Sequence, residues 1–123
     1  MPDRNELDSF IGNSFRSVWA LELLKYLAEN PGTYHTSDEL ISVLRASEVV
    51  VTQSVQNLSV AGLAVVDDEG RVAYLEGPGG SAALVKAAIE LYARSPDKVR
   101  RLIVARSAPG VTAFADAFRL RKD

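Results

Sequence analysis

The 123-residue chain contains no cysteine, which excludes a disulfide framework, a thiolate nucleophile and a zinc–thiolate site. It has one histidine, His35. With no second ligand or partner base apparent, that residue reads as structural or solvated, and no metal site is expected. Long apolar runs are missing too. The longest near-apolar stretch, LAVVDDEGRVAYL, is broken by charge, and nothing approaches the ~20 residues of a membrane span. The opening MPDRNELDSF is polar and acidic, unlike a secretory signal. These absences lead to the expectation of a soluble, cytoplasmic chain with no membrane partner.

Chemistry is as sparse. GPGGS at 77–81 is glycine-rich, but no Lys-Ser/Thr follows and no strand–helix order surrounds it, so it reads as a linker. Asp67, Asp68 and Glu69 lack the spacing of a calcium loop and read as solvated turn residues. No nucleophile–base pairing emerges. The expectation is a non-enzyme with no catalytic residue and no cofactor.

Positive charge is scarce over most of the chain. Residues 1–93 hold six basic side chains (Arg4, Arg16, Lys25, Arg45, Arg71, Lys86) against thirteen acids, a net of −7. Residues 94–123 hold eight against three, a net of +5. Such asymmetry suggests a basic surface for an acidic partner, two ends that attract each other, or a solvated helix face.

What is present is helical periodicity. Phe15, Val18, Leu21, Leu24 and Leu27, with Phe10, Trp19, Leu23 and Tyr26 as a second stripe, predict one helix over 9–30 buried on two sides. NPG at 30–32 stops it. A short extended stretch follows, then a capping box in which Thr36 caps the free amides and Glu39 reaches back. This predicts a helix over 37–45, with Leu40, Ile41 and Leu44 apolar. Ser47 is a good N-cap for a helix over 48–61 with Val51, Val55 and Leu58 on one face, ended by Gly62. Strands alternate over 63–75 around DDEG. Beyond the linker, SAALVKAAIELYARS predicts a helix, Ser95-Pro96 opens another, and VTAFADAFRLRKD reads as a final amphipathic helix with Phe114, Ala117, Phe118 and Arg121 in helical spacing. The fold class expected is mainly α with a small β-hairpin.

The residues TSDELISVLRASEVVVTQSVQNLSVAGLAVVDDEGRVAYL, and above all Val51, Val55, Leu58, Gly62 and Leu63, resemble the winged helix-turn-helix of MarR- and PadR-like bacterial transcription regulators. With the first helix the resemblance covers about 65 residues. It implies a winged helix domain over 1–76, with a wing at 63–75, and a helical dimerisation or packing segment over 77–123. It further implies a homodimeric regulator of double-stranded DNA whose recognition helix, 48–61, enters the major groove. The DNA-contacting set would then be Arg45, Ser47, Thr52, Gln53, Gln56, Asn57 and Arg71. Amides and Thr can read base edges there, although ordinary solvated helix residues have the same composition.

The chain departs from that pattern where affinity should arise. Phosphate neutralisation needs Lys and Arg, yet Arg45 and Arg71 are the only cations in the reading head, and three acids stand in the wing. A symmetric dimer, or the basic Lys98, Arg100, Arg101, Arg106, Arg119, Arg121 and Lys122 folding back, would offset this. The alternative is a winged helix interaction module that has lost DNA and meets a protein partner with its acidic wing. The aromatic residues lie outside the reading head. Phe10, Trp19, Leu91, Tyr92, Phe114 and Phe118 are the expected dimer interface, with core packing as the plain alternative. An effector pocket near Trp19 and Tyr92 is a third reading.

Overall fold

A computed structural model describes residues 3–77, 79 and 81–107, the last two of these without their side chains. The described chain is mainly helical with one small antiparallel sheet, in the order α1 (Arg4–Ser14), α2 (Val18–Glu29), α3 (Ser37–Leu44), α4 (Glu48–Val60), β1 (Ala64–Val66), β2 (Val72–Tyr74), α5 (Ser81–Arg94) and α6 (Pro96–Ser107). None of its helices is long and apolar enough to cross a membrane. The final helix expected over VTAFADAFRLRKD, with Phe114, Phe118, Arg119, Arg121 and Lys122, lies outside the described residues, as does the Arg106 side chain.

The single helix expected over 9–30 is two helices. Asp3 caps α1 by accepting the Glu6 amide at 2.7 Å, and Phe15 ends it in extended backbone. Ser17 then caps α2, its hydroxyl accepting the Ala20 amide at 3.2 Å. Apolar spacing alone does not show the break, because both helices bury their apolar sides in the same core. Ile11 and Phe15 from α1, and Leu21, Leu23, Leu24 and Leu27 from α2, are all essentially inaccessible to solvent.

α2 is the hub of one half, packing against α4, α3 and β2. In the other half α1 lies against α6 and α5, and α5 against α6. The two halves share one apolar cluster: Leu40, Val51, Leu58 and Leu63 join Val85, Ala88, Val99 and Ile103 in it. The breadth of the apolar arc on α2 is thereby explained, since neighbours cover more than one side of it.

Local signals for α3 and α4 hold. Thr36 accepts the Glu39 amide at 3.2 Å and Ser47 the Val50 amide at 3.2 Å, each satisfying an orphan donor of a first turn. The second half of the expected capping box is different. The Glu39 carboxylate does not return to Thr36; it accepts from the Tyr26 hydroxyl at 2.8 Å and meets His35 Nδ1 at 2.6 Å. Between α3 and α4, Arg45 occupies the left-handed region at φ 53°, a conformation that costs a residue with a Cβ on the order of 1–2 kcal/mol. Gly62, at φ 78°, ends α4 where such a conformation costs glycine little.

The hairpin pairs Ala64 with Tyr74, Val65 with Ala73 and Val66 with Val72. Its turn is organised by Asp67, whose Oδ1 accepts the amides of Glu69 and Arg71 at 2.9 and 2.8 Å. His35 extends the sheet by a bridge to Val72, with both amide–carbonyl bonds at 2.8 Å. Leu24→Ala should lower stability by about 2–5 kcal/mol, since truncating this fully buried side chain of the hub helix leaves a cavity in the core; a fall in the urea midpoint with an unchanged m-value measures it.

Candidate interaction face

Helical spacing sorts α4 into a buried and an outward side. Val51, Ser54 and Leu58 point into the protein. Val49, Gln53, Gln56 and Val60, at i, i+4, i+7 and i+11, form the opposite stripe. Val49 is 63% exposed and Val60 79%, so two apolar side chains bracket the two amides. Thr52 is exposed beside them. No lysine or arginine occurs anywhere on α4.

Asn57 does not stand with these residues. Its side-chain oxygen accepts the Arg16 amide at 2.8 Å, and its nitrogen donates to the Ser14 carbonyl at 2.8 Å. Both the oxygen and the nitrogen of the amide are engaged by the α1–α2 break. The pair of bonds also satisfies backbone groups that a continuous helix would have used itself. This is the tertiary contact that stabilises the break, and no local signal in the sequence points to it.

Beside the outward stripe, α4 and the beginning of α2 enclose a groove of about 420 Å³, lined among others by Arg16, Trp19, Val50, Gln53, Gln56 and Val60. Trp19 is 39% exposed there. A second groove, of about 300 Å³, lies between α2, β2 and α5, lined by Ala28, Tyr74, Val85 and Ile89 among others. The residues expected at a dimer interface divide accordingly. Phe10 packs edge-on against Phe15 with ring centroids 5.8 Å apart, and Leu91 and Tyr92 pack on the protein's own core. Of the described members of that set, Trp19 alone counts among the large exposed hydrophobics. Trp19 lines the first of these grooves, and Tyr92 lines neither.

The cations separate too. Arg71 sits 2.9 Å from Asp67 Oδ2 through Nε and 3.6 Å from Glu69 through a terminal nitrogen, with its guanidinium 5.9 Å from the Tyr34 ring centre. Partial burial pushes the Asp67 carboxyl up, but the Arg71 amide and guanidinium and the Glu69 amide outweigh it and hold the group below the usual range. The hairpin tip therefore carries one neutralised arginine and a net negative charge. Arg16 and Arg45 make no ion pair among the described residues. The Ser47 hydroxyl is already used as the cap of α4.

Behind the face, Tyr26, His35 and Glu39 form a half-buried polar cluster. The Tyr26 hydroxyl and His35 both hold the Glu39 carboxyl below its usual range, and Glu39 in turn raises Tyr26. His35 is 2% exposed, and its Nε2 is buried with no partner. The cluster ties α2, the strand bridge and α3 together.

Compared with protein-family models, curated proteins and solved structures, the chain matches none.

Asn57→Ala should cost about 2 kcal/mol, because two backbone groups at the break lose their partner. Asn57→Asp keeps the acceptor for Arg16 and loses the donor to Ser14; it should also destabilise, and chemical denaturation reads both. For Glu39 the carboxyl is lowered in the folded state. Its contribution is therefore complete above the unfolded value of about 4.3 and lost as pH falls through the lower folded value. The stability gap between wild type and Glu39→Gln should accordingly narrow on acidification below about pH 4.3, as urea midpoints at successive pH values would show.

Proposed function

We propose that this chain is a winged helix module that acts by contact with a protein, with α4 and the hairpin as the contact face. The winged helix reading is supported by the order of α2, the His35 bridge, α3, a short turn, α4 and the hairpin. The observation that carries the functional reading is the outward stripe of α4. It presents Val49 and Val60 to solvent around Gln53 and Gln56, without a cation. A helix that lies in a major groove sits between two rows of phosphates, and affinity there depends on lysine and arginine. Exposed valines gain from an apolar partner instead. Asp67, Asp68 and Glu69 at the hairpin tip favour a basic rim on that partner.

A second reading, a homodimeric DNA-binding regulator, has its own observation. Thr52, Gln53 and Gln56 are exposed on α4, and the unpaired Arg16 and Arg45 stand near its two ends. A symmetric dimer would double those contacts.

The two readings divide on salt. Anisotropy of a labelled random duplex at about 50 and 200 mM salt should show no salt-sensitive binding by the wild-type chain, because phosphate contacts lose affinity steeply over that range when they exist. In parallel, a protein retained from source lysate by the wild type should be lost with Val49→Asp/Val60→Asp, while that variant keeps its denaturation midpoint. Duplex binding that falls steeply with salt would overturn the protein-contact reading in favour of DNA.

A further inference from the structure

The outward stripe of α4 reads the same in both directions. Gln53 follows Val49 by four residues, Gln56 follows by three more, and Val60 by a further four. Four, three and four is the spacing of a heptad seam, the repeat by which one helix packs along another. All four side chains are exposed, whereas Val51, Ser54 and Leu58 on the other side of the helix are buried. α4 thus has one side packed in the core and a seam that faces solvent. Antiparallel pairing of two such seams sets Val49 of each copy opposite Val60 of the other, and Gln53 opposite Gln56. Every contact then occurs twice about a two-fold axis, which is what an isologous interface requires. Parallel pairing would instead bring Glu48 beside Glu48 and align the two helix dipoles.

We infer that the partner of this face is a second copy of the chain, held α4 against α4 in antiparallel order. The polar chemistry is self-complementary. Each amide carries a donor and an acceptor, so Gln53 of one copy and Gln56 of the other satisfy each other across the seam. Polar side chains in a seam fix its register at a cost in stability. Charge is complementary too. Arg16 and Arg45 are exposed and make no ion pair among the described residues, while Asp68 and Glu69 are exposed acids. A second copy therefore supplies the basic side chains that the acidic hairpin favours. Area sets the strength. The 13 residues of α4 make a helix about 20 Å long and about 10 Å across. That strip is well short of the roughly 800 Å² per partner of a standard interface. The dimer is accordingly a weak and exchanging one. Any other protein that uses the same valines competes with it, so the face is open at low concentration and covered at high concentration.

The inference rests on the protein-contact reading of the face, and the two fail separately. Sedimentation velocity of the full chain from about 1 to 500 μM, a range in which weak pairs populate both states, should show monomer giving way to dimer. Val49→Glu alone and Val60→Lys alone should each raise the dissociation constant at least about tenfold, because each sets a charge against valine twice. Both changes in one chain should restore association, since the antiparallel register brings the two new charges together as opposite pairs. Equal denaturation midpoints at the dilute end show that the monomer fold is kept. A chain that stays monomeric over the whole range would overturn the inference, while capture of a different protein through the same valines would still support the face. Association untouched by either single change, or not restored by the double, would equally overturn the α4 pairing.

Discussion

The side chain of Asn57 is the contact on which the rest of the face depends. One amide, projecting from α4, accepts the Arg16 N–H and donates to the Ser14 carbonyl. With it, α1 and α2 are separate helices, and α4 is tied to the break between them. The groove between α4 and α2, the exposure of Trp19 and the position of Arg16 all follow from that tie. Without it, a run of residues apolar at helical intervals would have two orphan backbone groups at its bend, and such groups are costly when not solvated. An amide carries a donor and an acceptor on separate atoms, so one side chain serves both an N–H and a carbonyl at the break.

Electrostatics separates the two functional readings more than shape does. The layout of helices and hairpin suits a nucleic-acid reader and a protein adaptor alike, because a fold hosts many functions. What differs is the charge that meets a ligand. Arg71, expected to touch DNA, is bound to two acids of its own hairpin. Ser47 and Asn57 are occupied with capping and with the helix break. The set left to face outward is amide and valine, which favours an apolar and basic partner over a polyanion.

Much of the fold was legible in the sequence, for physical reasons that are local. Thr36 and Ser47 mark helix starts because their hydroxyls satisfy nearby amides, and Gly62 marks an end because it accepts a positive φ. The hairpin at 64–74 announces itself through alternation around a turn-forming run. What was not legible is non-local. The break between α1 and α2 is stabilised from 41 residues away. Glu39 looked like the second half of a capping box and instead serves Tyr26 and His35 on two other elements. Phe10, Leu91 and Tyr92, expected at a dimer interface, pack half-buried against the protein's own core. Among the expected contacts on α4, Thr52, Gln53 and Gln56 alone remain with outward side chains and no structural duty described here.

The acidic hairpin tip contains two kinds of charge. Asp67 folds the turn: its Oδ1 gathers two amides and its Oδ2 holds Arg71. An asparagine there would keep the first role at the expense of the second. Asp68 and Glu69 are exposed, and their carboxylates are tied to the turn only through the longer contact of Glu69 with Arg71. The Oδ1 acceptor at 67 is thus what the turn is built on, while the side chains at 68 and 69 can vary at little structural cost. Selection on whatever approaches this hairpin is free to act on positions 68 and 69, and constrained at 67.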